Sequence, residues 1–230
     1  MRPGRREVVL GLASVPLATC VPMRPDNDVP FIPAKQAATM APGDPKRLVE
    51  LVKLDPLIKL DMRYATANNF TGRVLYSEAR AFLTTAAAEA LVRASAAAKA
   101  DGFGLNIFDA YRPWRVTKQL WDATPAGPKK NYVANPKRGS KHNRGCAVDL
   151  TLYDLKTAVL AEMPTEFDDF SEKAHRDYAG ASPTAAANRA RLQNYLESQS
   201  FIGLSNEWWH FDFAGWENYP VMDVPFDQIG

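Results

Sequence analysis

Ten residues, Ser140-Lys-His-Asn-Arg-Gly-Cys-Ala-Val-Asp149, constrain this chain more than any other stretch. A histidine and an aspartate stand seven residues apart with Gly145 between them, and the apolar run Val148-Asp-Leu-Thr-Leu152 overlaps the end. Side chains alternate along a strand, so Ala147, Asp149 and Thr151 share one face while Val148, Leu150 and Leu152 take the other. A carboxylate set into a buried strand needs a cation or several donors. A metal ion would meet that need, and so would hydrogen bonds from a neighbouring loop. Gly145 lets the backbone turn tightly between His142 and Asp149.

Near the C-terminus stands a second cluster, Glu207-Trp-Trp-His210, so two of the three histidines in the chain lie in such clusters. Two imidazoles and a hard carboxylate are a natural ligand set for zinc with one position open to water, and a spare glutamate is a natural base for that water. Glu207 and His210 are three residues apart and would face opposite sides of a regular strand. Both can reach one point only if Glu207 sits at a bend before the strand or a bulge intervenes. Trp208 and Trp209 could wall such a site or belong to the core. His175 has no comparable company and reads as a non-ligand. In Asp109-Ala-Tyr-Arg-Pro113 an arginine follows a strand end. A carboxylate beside Arg112 would fix it to stabilise a developing oxyanion, or the two would form an ordinary surface ion pair.

The surrounding chain fits one domain of ordinary globular composition: 230 residues, 46% hydrophobic and 23% charged. A formal net charge of +2 gives no support to a nucleic-acid role. Cys20 and Cys146 are the only cysteines, too few for a disulfide framework, and Cys146 reads as a small buried residue. Arg2, Arg5 and Arg6 followed by the apolar run from Val8 to Thr19 form an export signal, too short to span a bilayer. Arg5-Arg6-Glu-Val-Val9 resembles a twin-arginine signal, and Leu17-Ala-Thr-Cys20 resembles a lipobox with Thr19 as a departure. Residues 1–20 are therefore assigned as the signal, the proline-rich residues 21–46 as an extended tether, and residues 47–230 as the folded domain.

Within that domain near-alternation predicts strands over 48–54 and 58–64. A helix follows over 84–100, a strand over 104–110 and a helix over 113–122. Residues 124–139 form a basic, Pro/Gly-rich loop, and residues 164–178 an acidic, aromatic loop with short helical turns. Ser182-Pro183 caps a helix running to Ser200 with Gly203 just past its end, and a last strand covers 207–213. Strands and helices without regular βαβ alternation predict an α+β fold: one domain, a mainly antiparallel central sheet, helices flanking it.

Together, Ser140-x-His142-x-x-Gly145-x-Ala147-x-Asp149 and Glu207-Trp-Trp-His210 resemble the VanX-type D-alanyl-D-alanine dipeptidases, a zinc peptidase group that shares its fold with D,D-carboxypeptidases and the hedgehog signalling domain. The stretches Asp61 to Gly72, Asp109 to Pro113 and Asp149 to Tyr153 are also similar to that family. The resemblance implies one Zn²⁺ per chain held by His142, Asp149 and His210, with Glu207 as base and Arg112 polarising the scissile carbonyl. It implies that Ser140 and Tyr64 help hold a small D,D-dipeptide. Cleavage of D-Ala-D-Ala to two D-alanines is the expected reaction. The alternatives are a D,D-carboxypeptidase acting on longer peptidoglycan peptides and a zinc-containing wall-binding module without catalysis. Retention of Glu207 and Arg112 favours an enzyme over the module. The export signal departs from the cytoplasmic resistance enzymes of the family. It places this chain in the periplasm, or on the membrane through a lipid on Cys20, where peptidoglycan fragments would be met.

Overall fold

The structure is a computed structural model that describes residues 25–26, 29–32, 40–41 and 43–230. The expected export signal, residues 1–20 with Cys20, lies outside the described residues. Nine strands are described: β1 (Phe31–Ile32), β2 (Leu48–Glu50), β3 (Lys59–Leu60), β4 (Phe82–Thr84), β5 (Phe103–Asp109), β6 (Ala147–Asp154), β7 (Phe201–Gly203), β8 (His210–Phe213) and β9 (Val221–Met222). The described α-helices are α1 (Leu51–Leu54), α2 (Thr85–Ala100), α3 (Trp114–Ala123) and α4 (Pro183–Glu197). The central sheet runs β3-β5-β6-β8-β7. Only its β3–β5 edge is parallel; the other pairs are antiparallel, as expected for this α+β fold. Two small ribbons, β2–β4 and β1–β9, stand beside it.

The alanine-rich α2 lies on β5 with Ala87, Ala90, Ala94 and Ala98 facing inward, small enough for helix and sheet to approach closely. α4 packs on α2 and β6. Leu91, Leu105, Ile107, Leu150, Leu152, Leu192 and Leu196 are completely buried, each stabilising the fold by roughly 2 kcal/mol. Ser182 caps α4 by accepting a hydrogen bond from the Ala185 amide at 3.0 Å, with Pro183 in the first turn. Thr84 precedes α2 without capping it. Its hydroxyl donates instead to the Gly145 carbonyl at 3.2 Å and ties the helix start to the stretch between His142 and Asp149.

Several expected boundaries differ. β2 stops after Glu50, because the Leu51 amide turns to donate to the Ala81 carbonyl and Asp55 closes a helical turn onto Leu51; Leu54 is left 46% exposed. β3 covers two residues, and Arg63–Ala65 then form a 3-10 turn that buries Tyr64. Gly203 lies within β7 and does not end α4; Ser200 takes the left-handed turn at φ +66°. Part of the proline-rich segment joins the domain. β1 pairs in parallel with β9, the Phe31 ring meets Trp114 edge-on at 6.3 Å, and the Asp26 amide donates to the Lys137 carbonyl.

Candidate metal centre and active site

Backbone register brings the centre together. β6 and β8 pair Asp149 with His210 and Ala147 with Asp212, so all four project from one face. On the other side of β6 a bulge between Ile107 and Asp109 sets Asp109 opposite Asp149. His142 comes from a 3-10 turn, His142–Arg144, closed by Gly145 at φ +64°. A Cβ on Gly145 would lie 2.6 Å from Leu48 Cδ2, so glycine is required by both conformation and space.

The donor atoms of His142, Asp149 and His210 all lie within 4.8 Å of one another. His210 Nδ1 is 2.8 Å from Asp149 Oδ1, and His142 Nε2 is 3.4 Å from Asp149 Oδ2 and 3.2 Å from His210 Nδ1. Ligand atoms around a tetrahedral zinc stand about 3.3 Å apart, so these spacings fit the ion. The outer ring nitrogens also fit. His142 Nδ1 donates to the Ala110 carbonyl at 2.7 Å, and His210 Nε2 donates to Asp212 Oδ1 at 2.9 Å. Each proton is thereby held outward and each inner nitrogen offers its lone pair beside a carboxylate, the arrangement that outer partners impose on metal-binding histidines. Burial alone would raise the Asp149 pKa, but positive charge on the imidazoles, where they are protonated, outweighs it and holds the carboxyl well below its usual range.

Glu207 occupies the turn before β8, so the bend required of it is present. The turn is held by the Trp208 amide, which donates to the Ala174 carbonyl. Glu207 Oε2 lies 3.9 Å from His210 Nδ1. Burial pushes its pKa up to about 7, with Asp149 adding and His210 opposing. Both tryptophans are buried, and Trp209 also lines the cavity.

Arg112 is no surface ion pair. Its guanidinium is buried and donates through Nε and Nη2 to Asp109 Oδ2 at 2.9 and 2.6 Å. The other Asp109 oxygen accepts from the Tyr76 hydroxyl at 2.6 Å and the Ala110 amide at 2.9 Å. Ser140 Oγ accepts from the His142 amide at 3.2 Å, and the Tyr64 ring centroid lies 5.2 Å from the Arg112 guanidinium carbon. Arg112, Ser140 and Tyr64 border one cavity of about 540 Å³ together with His142, Asp149, Glu207 and His210. His175 stays outside the cluster, 3.5 Å from the Tyr132 hydroxyl. Cys146 is fully buried, and burial pushes its thiol up to about 12, which removes it as a nucleophile at neutral pH.

Three participants escaped sequence reasoning. Asp212 could have been found, being two residues beyond His210 and hence on the same strand face. Asn143 donates to the Arg112 carbonyl and to Thr117 Oγ1, both at 2.8 Å, joining the His142 turn to α3. Asp168 has a left-handed backbone at φ +62° and accepts from the Tyr64 hydroxyl at 3.1 Å at the cavity wall. Burial, with the charges of Asp149 and Glu207, pushes its pKa well above the usual carboxylate range.

A family model described as D-ala-D-ala dipeptidase matches residues 44–226. The chain is 36% identical over 184 residues to a D-alanyl-D-alanine dipeptidase of Escherichia coli (strain K12), covering 80% of this chain and 93% of that protein. It is 37% identical over 187 residues to a D-alanyl-D-alanine dipeptidase of Enterococcus faecium, covering 73% and 92%. A third, from Enterococcus faecalis (strain ATCC 700802 / V583), is 36% identical over 186 residues, covering 74% and 88%. With its two histidines, aspartate, glutamate and arginine gathered on one cavity, the chain belongs to the D-ala-D-ala dipeptidase family.

Proposed function

We propose that this protein hydrolyses D-alanyl-D-alanine to two D-alanines, with one zinc ion held by His142, Asp149 and His210 and with Glu207 as the base. The observation that carries the reading is the convergence of a candidate metal-ligand triad, the buried Glu207 carboxyl and a buried guanidinium on one cavity. Zinc bound there supplies Lewis acidity toward a carbonyl oxygen and brings water closer to ionisation at neutral pH. Glu207 takes a proton from the attacking water as its oxygen bonds to the scissile carbonyl carbon. It then delivers that proton to the amide nitrogen as the C–N bond breaks. One carboxyl serves both transfers, because it receives the proton in the first and gives it up in the second. Arg112, fixed by Asp109, faces the negative charge that develops on the carbonyl oxygen. The dipeptide's free ammonium is received by Asp168, whose burial disfavours its charge until a cation arrives. Ser140 borders the same space.

The Arg5-Arg6 leader extends the proposal to location: export to the periplasm, free or anchored by a lipid on Cys20. Dipeptide and peptide fragments released during wall turnover are then the substrates within reach.

The test is D-alanine release from D-Ala-D-Ala by zinc-loaded protein, with Glu207→Ala alongside. Release abolished in the variant, with zinc retained, is expected. Bound zinc without hydrolysis of the dipeptide or of a longer peptide ending in D-Ala-D-Ala would instead favour a wall-binding module.

A further inference from the structure

Between Asp122 and Asp149 the chain carries no carboxylate, while Lys129, Lys130, Lys137, Arg138, Lys141 and Arg144 all fall in that interval. These cations gather in one stretch of a chain whose formal net charge is only +2. The fold engages part of the set. Lys130 Nζ donates to the Trp121 and Thr124 carbonyls at 2.6 and 3.0 Å, Lys141 pairs with Asp212 at 3.3 Å, and Arg144 donates to the Tyr219 carbonyl. Lys129, Lys137 and Arg138 are exposed, and among the described residues none of them forms an ion pair. Arg138, Lys141 and Arg144 also line the cavity of the candidate metal centre, so the basic surface is part of its rim.

The N-terminal segment arrives at the same surface. The Asp26 amide donates to the Lys137 carbonyl at 2.8 Å, and the Val221 amide donates to the Pro30 carbonyl at 2.7 Å, where β1 joins β9. Phe31 meets Trp114 edge-on, and Trp114 Nε1 donates to the Pro136 carbonyl at 2.8 Å. On the other side of Arg138, Val221 packs so closely on Gly139 that a Cβ there would lie 2.5 Å from Val221 Cγ2. The basic loop and the N-terminal segment are thus held to one another. Cys20 stands six residues before Asp26, a reach of at most about 22 Å even when fully extended. A lipid on Cys20 would keep the bilayer surface within that distance of Lys137. A tether free as far as residue 46 would let the domain stand off by on the order of tens of ångströms, beyond the Debye length over which a charged leaflet attracts lysine and arginine.

On the reading that Cys20 carries a lipid, we infer that Lys129, Lys137 and Arg138 form a docking surface for anionic phospholipid headgroups and turn the rim of the cavity toward the membrane. The docked N-terminal segment brings this surface to the bilayer, and its charge complements that of the leaflet.

The test uses the chain from Cys20 onward with Cys20→Ser, because the leader's own basic and apolar residues would bind vesicles. This protein is sedimented with phosphatidylcholine vesicles made with or without phosphatidylglycerol. Binding is expected only where phosphatidylglycerol is present, and high salt should abolish it. Lys129→Gln and Lys137→Gln should each weaken it by about fivefold at an unchanged melting temperature, while Lys53→Gln, an exposed lysine outside this surface, leaves it as it was. A polarity-sensitive fluorophore on Ala126→Cys, in the basic loop, should brighten on the vesicles. The same fluorophore on Val159→Cys, exposed beyond the far end of β6, should not; Cys146 is buried and stays unlabelled. No binding to phosphatidylglycerol, or binding that ignores Lys129→Gln and Lys137→Gln, overturns the docking surface. Tighter binding to soluble polyphosphate than to the vesicles overturns it in favour of an anionic wall polymer. The anchor is read separately, by mass spectrometry of the unaltered chain made with its leader. Absence of lipid there sinks the anchor alone, and vesicle binding then decides the surface by itself.

Discussion

Asp212 shows how much of a metal site lies one bond beyond the ligands. It accepts from His210 Nε2 at 2.9 Å and is itself paired with Lys141 Nζ at 3.3 Å. Removing its charge weakens the grip on the imidazole and lowers the basicity of Nδ1. Asp212→Asn should therefore weaken zinc affinity by roughly 10- to 100-fold, measured by competition with a chromogenic chelator. Glu207→Gln, which leaves all three ligands in place, should shift affinity far less, and equal losses in both variants would contradict the assignment. Glu207 itself predicts a pH profile. As a base it must be ionised, so activity rises with pH through its pKa. Burial moves that pKa from 4.5 up to about 7, and a bound dication draws it back down. The acid limb of kcat/KM should fall between those two values and disappear in Glu207→Gln along with the activity. A limb above this window would point to another group.

At the scale of elements, the site depends on two backbone irregularities. The β5 bulge turns Asp109 to the face of Asp149, and the left-handed Gly145 closes the turn that aims His142. Gly145→Ala puts a side chain at φ +64° and 2.6 Å from Leu48 Cδ2. It should destabilise the protein by about 1–3 kcal/mol and lower zinc affinity at the same time, seen as a drop in melting temperature with a weakened metal titration. A stability loss with unchanged affinity would mean that the turn recovers its geometry. Glycine's necessity here was legible in sequence. The bulge was not, because alternation in Gly104-Leu-Asn-Ile-Phe-Asp109 gives no sign of where the ladder skips a residue.

For the whole molecule, a zinc ion held by His142, Asp149 and His210 would also join distant parts of the chain. His142 and Asp149 belong to the turn and strand at the centre, and His210 to a strand paired across from them. Two inward lone pairs beside a carboxylate are poorly matched without a cation, so metal binding favours the folded state. Removing zinc with a chelator should lower the melting temperature. Restoring zinc at 100 times its dissociation constant should return about 2.7 kcal/mol, read as a concentration-dependent rise in that temperature. No dependence on zinc would argue against binding at these residues.

Sequence alone determined the α+β class, the long helices α2 and α4, the strand carrying Asp149 and the identity of the candidate ligands. Helical periodicity, caps and alternating strands are local, and their physical causes lie within a few residues. The short elements were decided otherwise: Leu51–Leu54 turned helical and Glu207 left the strand because long-range partners, the Ala81 and Ala174 carbonyls, claimed nearby amides. Phe31–Ile32 joined the domain for the same kind of reason, a strand partner almost two hundred residues away in Val221–Met222. Asp168 and Tyr132 carried no local signal at all. Their placement beside the metal centre required three loops to meet over one face of the sheet, and proximity between segments far apart in the chain is settled only when the tertiary structure closes.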